Sequence, residues 1–244
     1  TNKTVVTSPL INGMSSALRR SITFSINDSV TYICRFQSKS PTYIDVFSIS
    51  GSYSKRNVTY LSSITSNLLG RLFSPMSVSV FKGNLFVANY NTREILMLRK
   101  NDANFKNFTI TSFPLEASPY IIRAVSDVMP GKTRLSVLVA TASALYKIDW
   151  TNPSAPFLVE SYSFENIYFP SYNITPYIGA SQNFYYVFNG YVHLFMRKSS
   201  GAFLYRSNET LLSPLVVVSI ESAKDVLYAL TDDSLPEFYS IFKS

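Results

Sequence analysis

Acid–base, metal and nucleophilic chemistry each need particular side chains within reach of one another, and this 244-residue sequence holds few candidates. Its single histidine, His193, stands between Val192 and Leu194, and its single cysteine is Cys34. A zinc site takes three or four nitrogen, sulfur or oxygen ligands, and this pair falls short of a usual set. No Gly-X-Ser-X-Gly elbow or phosphate loop accompanies them, so His193 reads as a structural side chain. Along residues 30–36, Cys34 alternates onto the face of Val30, Tyr32 and Phe36. That pattern reads as a buried free thiol packed as a small hydrophobe, the alternative being an intermolecular disulfide. No Asp-X-Asp-X-Asp calcium loop occurs. No metal and no cofactor is therefore expected.

Paired carboxylates are the other route to hydrolysis, and glycoside hydrolases depend on them. Asp28, Asp127 and Asp225 each follow a short apolar segment, where aspartate is an ordinary turn residue. Asp149 ends a segment, Asp232-Asp233 falls in a loop, and Asp45 and Glu94 begin segments. None is spaced like a catalytic pair. The expectation is a protein without catalytic residues, not an enzyme, with a glycoside hydrolase as a third-ranked reading.

The elements that would position any site are strands. Helical periodicity is nearly absent, and tyrosine (17) and phenylalanine (18) are abundant, a mix that suits half-buried pleated strands. Short segments alternate with polar turns such as Asn27-Asp28, Lys82-Gly83-Asn84 and Asn189-Gly190. Ser-Pro precedes the first strand of successive groups at Ser74-Pro75, Ser118-Pro119 and Ser213-Pro214, and appears reversed at Pro170-Ser171. Proline can open a strand without donating to a ladder. The spacing of about 43 to 52 residues is that of propeller blades. The fold class expected is all-β, a single β-propeller domain over residues 1–244. Its blades are placed at about 21–64, 76–111, 120–163, 172–208 and 215–242, five of four strands each. The last group supplies three strands, and residues 3–7 are expected to provide the fourth, closing the ring and removing an exposed edge. The connector 8–20 is long enough to serve this ring or a neighbour's, and the two arrangements stay open.

Residues 83–95, running Gly83-Asn84-Leu85-Phe86-Val87-Ala88-Asn89 and on through Asn91, Arg93 and Ile95, resemble the NHL-type propeller repeat. That pattern is roughly Gly-Asn-Leu-Tyr-Val-Ala-Asp followed by Asn, Arg and Ile. Asn89 stands where the family usually has aspartate. The likeness covers about 25 residues and recurs faintly in 135–149. It implies a propeller, and family functions are too varied to carry over.

The formal charge is +7 with a pI near 9.4, yet only Arg19-Arg20, Lys55-Arg56 and Arg197-Lys198 place bases side by side. Dispersed bases read as a solvated surface rather than a nucleic-acid groove. The longest apolar runs, such as 215–220, are too short to span a bilayer as a helix. The chain starts at Thr1 without a signal pattern, as removal of a leader or trimming would leave it. Asn-X-Ser/Thr sequons occur at Asn2, Asn27, Asn57, Asn107, Asn173 and Asn208. In the expected register Asn57, Asn107 and Asn208 fall at fourth strands, Asn2 just ahead of one, Asn27 in a turn and Asn173 at a strand start. The fourth strand is a propeller's outer rim, where a glycan sits in water. A secreted, N-glycosylated protein follows as the expectation. Its expected role is structural or adhesive, through self-association or contact with extracellular proteins or glycans, including a surface-filament subunit. The alternative is a lectin-like or polyanion-binding propeller using Tyr90, Arg93 and Tyr191.

Overall fold

A computed structural model of the chain describes residues 23–27, 30–35, 43–50, 57–129, 132–163, 177–180, 184–188, 192–197, 203–209, 217–223, 226–231 and 236–240. The first sheet comprises β1 (Thr23–Asn27), β2 (Val30–Arg35), β3 (Tyr43–Ser50) and β4 (Asn57–Ile64). The second holds β5 (Pro75–Phe81), β6 (Asn84–Asn89), β7 (Glu94–Lys100) and β8 (Phe108–Pro114). The third holds β9 (Pro119–Met129), β10 (Lys132–Thr141), β11 (Ala144–Asp149) and β12 (Phe157–Ser163). In the fourth are β13 (Tyr177–Ala180), β14 (Phe184–Phe188), β15 (Val192–Arg197) and β16 (Phe203–Glu209). Three strands follow, β17 (Val217–Ala223), β18 (Val226–Thr231) and β19 (Pro236–Ser240). Every sheet is an antiparallel meander in chain order. The first strands lie side by side, β5 against β1 and β9, and β13 against β9 and β17. This is the all-β propeller arrangement the sequence implied. The segment 3–7, with the ring closure assigned to it, lies outside the described residues.

Burial on both faces explains why the sheets stack. Within β6, Leu85 and Val87 join Val78, Leu96 and Leu98 against Ile44, Val46 and Ile64 of the first sheet. Phe86 and Ala88 point the other way, with Ile95 and Met97, against Ile122, Ala124, Val137, Val139, Ile148 and Trp150 of the third. A period-two chain that is apolar at every position has two buried faces. Phe86 and Trp150 meet edge to face with ring centroids 5.5 Å apart.

Local chemistry fixes the connections. Lys82 and Gly83 join β5 to β6 with φ of 47° and 77°, the left-handed pair a tight primed hairpin requires. A single helical turn, α1 (Ser66–Leu69), interrupts the strands after β4. Thr65 caps its start by accepting from the Leu68 amide at 3.2 Å, and Gly70 ends it at φ 63°. Bulges fall between third and fourth strands at Val46/Phe47, Lys147/Ile148 and Leu194/Phe195, increasing the twist of the outer strands.

Between sheets, two serines replace a ladder. The Ile122 amide donates to Ser77 Oγ at 3.3 Å and the Ala124 amide to Ser79 Oγ at 3.0 Å. Residues two apart on β9 present their amides on the same edge, so the pair satisfies two donors that would otherwise be buried and unmet. One expectation is corrected here. Asp127 is not a turn residue, because β9 runs on to Met129 and pairs Asp127 with Arg134 of β10.

Truncation of Phe86 to alanine removes a fully buried ring from the core between the second and third sheets. It is expected to cost about 3–5 kcal/mol. Urea unfolding followed by fluorescence of Trp150, the chain's one tryptophan, measures this directly.

Candidate functional site

The polar groups concentrate at one end of the second sheet, where the link after α1 meets the β6–β7 turn. Glu94, the first residue of β7, is buried, and its carboxylate is surrounded by donors. Arg71 Nη2 lies 2.6 Å from both Oε1 and Oε2. Thr92 Oγ1 donates to Oε1 at 2.6 Å, and Asn89 Nδ2 at 3.0 Å. Asn89 is fully buried, and its Nδ2 also lies 3.1 Å from the Leu72 carbonyl. Its Oδ1 accepts from the Ser74 amide at 2.6 Å. A buried carboxylate is tolerable only when paired and hydrogen-bonded, and this one is both.

The arrangement explains the departure from aspartate at position 89. An amide can donate to Glu94 and accept from Ser74 at once. A carboxylate there would face a second carboxylate with no proton between them.

Arg71 is itself about one-third exposed, at 32% of its side chain. Only Nη2 is spent on Glu94, and among the described residues no side chain is shown to take Nε or Nη1. Next along the turn, the Tyr90 amide donates to the Ser74 carbonyl at 2.9 Å and the Arg93 amide to the Tyr90 carbonyl at 3.2 Å. Arg93 adopts φ 53°, a left-handed conformation for a non-glycine residue, and its side chain is exposed. Tyr90 reaches across to the third sheet, where its ring meets that of Tyr120 edge to face at 5.2 Å and the hydroxyls lie 3.3 Å apart. Burial, and then the hydrogen bond and charge of Tyr90, push the Tyr120 phenol up to about 12. It therefore stays a hydrogen-bond donor throughout the neutral range.

A second polar cluster is internal to the third sheet. Asp127 of β9 pairs with Lys147 of β11, both nearly inaccessible, and accepts from Ser136 Oγ at 2.6 Å. Arg134 lies 3.5 Å from Asp149 beside it. In the first sheet, Ser63 Oγ donates to the buried Asp45 at 2.6 Å. Asp127 neutralises the buried Lys147, and the burial of all three carboxylates keeps them from substrate.

The structure therefore distributes the residues singled out in the sequence unevenly. Tyr90 and Arg93 share one turn, as a binding surface would require, while Tyr191 lies outside the described residues. Asn57 opens β4 and Asn107 immediately precedes β8, both exposed. Asn27 ends β1 and Asn208 lies in β16. Asn2 and Asn173 are outside the described residues. Cys34 pairs with Thr23 and Ile44 in the first sheet, and His193 with Val187 and Asn208 in the fourth. Among the residues whose surroundings are described, no group of three His, Cys, Asp or Glu side chains could hold a metal. Sequence reasoning passed over Arg71 and Tyr120, and it treated Glu94 as a bare strand start. The one signal available was asparagine at 89 followed five residues later by glutamate.

No family model matches the chain, and no curated protein matches it by sequence. Solved structures do match. The periplasmic gluconolactonase of Pseudomonas aeruginosa superposes with a TM-score of 0.59 at 13% identity, over 91% of this chain and 68% of its own. A Bacteroides uniformis protein provisionally named a 6-phosphogluconolactonase gives 0.60 at 14%, over 88% and 65%. A Lactobacillus plantarum protein gives 0.59 at 12%, over 89% and 69%. Identity this low shows the fold, and the chain spans about two-thirds of these neighbours' lengths. The resemblance at 83–95 thus stands for the propeller, and no NHL model extends it.

The expectation of a non-enzymatic structural or adhesive protein, with its filament version, is corrected by these neighbours, two of which carry the names of enzymes. The error has a physical origin. Acid pairs, histidines and glycine loops are legible only as local motifs, whereas a propeller assembles an end surface from turns about 20 to 50 residues apart.

Replacing Asn89 by aspartate tests the cluster. At neutral pH the variant is expected to lose about 1–3 kcal/mol, since two carboxylates then share the space. The folded pair holds its proton more tightly than the unfolded chain does. Stability is therefore regained as pH falls through the raised folded value, opposite to a salt-bridged carboxylate. Urea midpoints from pH 4 to pH 8 measure this, and a variant as stable as the parent at pH 8 would refute the reading.

Proposed function

We propose that the chain is a lactonase-like hydrolase, opening a sugar lactone at the end of the second and third sheets. The observation that carries this reading is Arg71, clamped by Glu94 through one nitrogen while its side chain stays 32% exposed, with the half-buried pair Tyr90 and Tyr120 on the turns that follow. The likeness to proteins named as gluconolactonases supports it at the level of fold.

Ring opening adds water to the acyl carbon, breaks the bond to the ring oxygen and yields a hydroxy acid. Negative charge develops on the carbonyl oxygen, and fixed donors aimed at that charge lower the barrier. Arg71 supplies such donors and then binds the carboxylate product. Glu94 is a positioning residue, since Arg71, Asn89 and Thr92 already occupy its oxygens. Tyr120, protonated at neutral pH, donates to a sugar or ring oxygen.

Acid release from gluconolactone and from its 6-phosphate, followed in a pH-stat, tests the assignment. The full chain is expected to exceed the buffer rate. Arg71→Met should lower kcat/KM by about 10²–10³, and Tyr120→Phe by about tenfold. A full chain that adds nothing to the buffer rate on either lactone overturns the reading.

We also propose that the protein is exported and glycosylated. The exposed Asn57 and Asn107 at outer strands support this, and one fold neighbour is named as periplasmic. Peptide mass spectrometry of native protein is expected to find glycans at both positions. Unmodified asparagine at both would count against export through a glycosylating pathway.

A further inference from the structure

Arg71 with Glu94 and Arg134 with Asp149 are ion pairs built on arginine, whose guanidinium keeps its proton in proteins. The pair inside the third sheet is chemically different. Lys147 Nζ lies 2.5 Å from Asp127 Oδ2, an amine against a carboxylate, with only 3% and 6% of the two side chains exposed. An amine that gives up its proton is a nucleophile, and the carbon beside it is an acyl carbon.

The strands hold the two groups together. Asp127 is on β9 and Lys147 on β11, with β10 between them, so their contact spans the middle strand. Ser136 of β10 sits under that contact and donates from Oγ to the same Oδ2 at 2.6 Å. The surroundings are dry. Leu138, opposite Lys147 in the register, and Leu145 on the same face of β11 are fully buried, and Val125, opposite Ser136, is buried too. β13 of the fourth sheet lies against β9 and β10. Keeping two charges in such a place is costly, and a neutral amide removes both. Well-oriented groups held this way react as if at about 10⁵–10⁸ M.

We propose that Lys147 and Asp127 condense, once the sheet has formed, into an intramolecular isopeptide bond. Oδ2 takes a proton from Nζ, and the freed lone pair attacks Cγ. Ser136 Oγ then passes its proton to Oδ2, which leaves as water while Oδ1 re-forms the carbonyl. The nitrogen returns a proton to Ser136. An ammonium and a carboxylate become one amide and one water, with no oxidant, metal or co-reactant. The bond braces β9 and β10, at 11 and 10 residues the longest of the described strands, by tying β9 to β11 across β10. It is independent of the lactonase reading.

Intact-mass spectrometry of the full chain, made without glycan in a bacterial cytoplasm, is the test. Chain recovered unfolded in urea is expected at its full sequence mass, and after refolding at a mass lower by one water. Digestion should then yield the peptides carrying residues 127 and 147 joined to each other. Lys147→Arg leaves a cation on Asp127, so the sheet still closes, and it should keep the full mass. Ser136→Ala should slow the loss of water by about 10²-fold or more. A chain that is folded by Trp150 fluorescence yet keeps its full mass overturns the proposal. So does a water lost from other residues, or the same loss in Lys147→Arg; an unchanged rate in Ser136→Ala overturns the route through that serine.

Discussion

Burial of both faces of the central strands in the second and third sheets is the constraint on which the described core depends. Leu85–Ala88 is apolar without a break, and its residues go alternately to the core with the first sheet and the core with the third. A four-stranded sheet of this kind is unstable alone in water. It needs a neighbour on each side, and those neighbours need neighbours in turn, which is the physical content of propeller stacking. Hydrogen bonding follows the same logic. Ser77 and Ser79 sit on the innermost strand of one sheet and satisfy amides of the next, where no ladder partner is available.

Charge is placed according to the cost of burying it. Inside the third sheet Asp127 pairs with Lys147 and accepts from Ser136, and breaking that pair would strand a buried ion. At the sheet end a second buried carboxylate is paired with a cation that is part-exposed. Glu94 consumes one nitrogen of Arg71 and holds the guanidinium in place, and the rest of that group meets solvent. A part-exposed cation fixed by a buried carboxylate is the feature on which the proposed anion site rests.

The proposed site and the outer strands occupy different parts of the fold. The candidate chemistry lies at the link ahead of β5 and the β6–β7 turn, while Asn57, Asn107 and Asn208 fall at or just ahead of fourth strands, as does the exposed apolar run Phe157–Val159. An outer strand contributes little to the inter-sheet cores. Its surface is therefore free to differ from sheet to sheet, bearing a sequon at Asn57 and Asn107 and apolar side chains at Phe157–Val159.

Much of the architecture was legible in the sequence because it rests on local rules. Alternating apolar strands, glycine at the β5–β6 turn and proline at the start of β5 and β9 are each decided within a few residues. The buried nature of Asp127 was not legible, since only pairing with β10 and the distant Lys147 turns an apparent turn residue into a core ion. The Arg71–Glu94 clamp was likewise hidden. Its partners come from a link and a strand 23 residues apart, and Tyr90 meets Tyr120 across a gap of 30. Spacing of that size carries no periodic signal. The sequence by itself determined which segments are strands and that they repeat; only stacking of the sheets decided which polar side chains share a site, because that depends on which turns the ring brings to the same end.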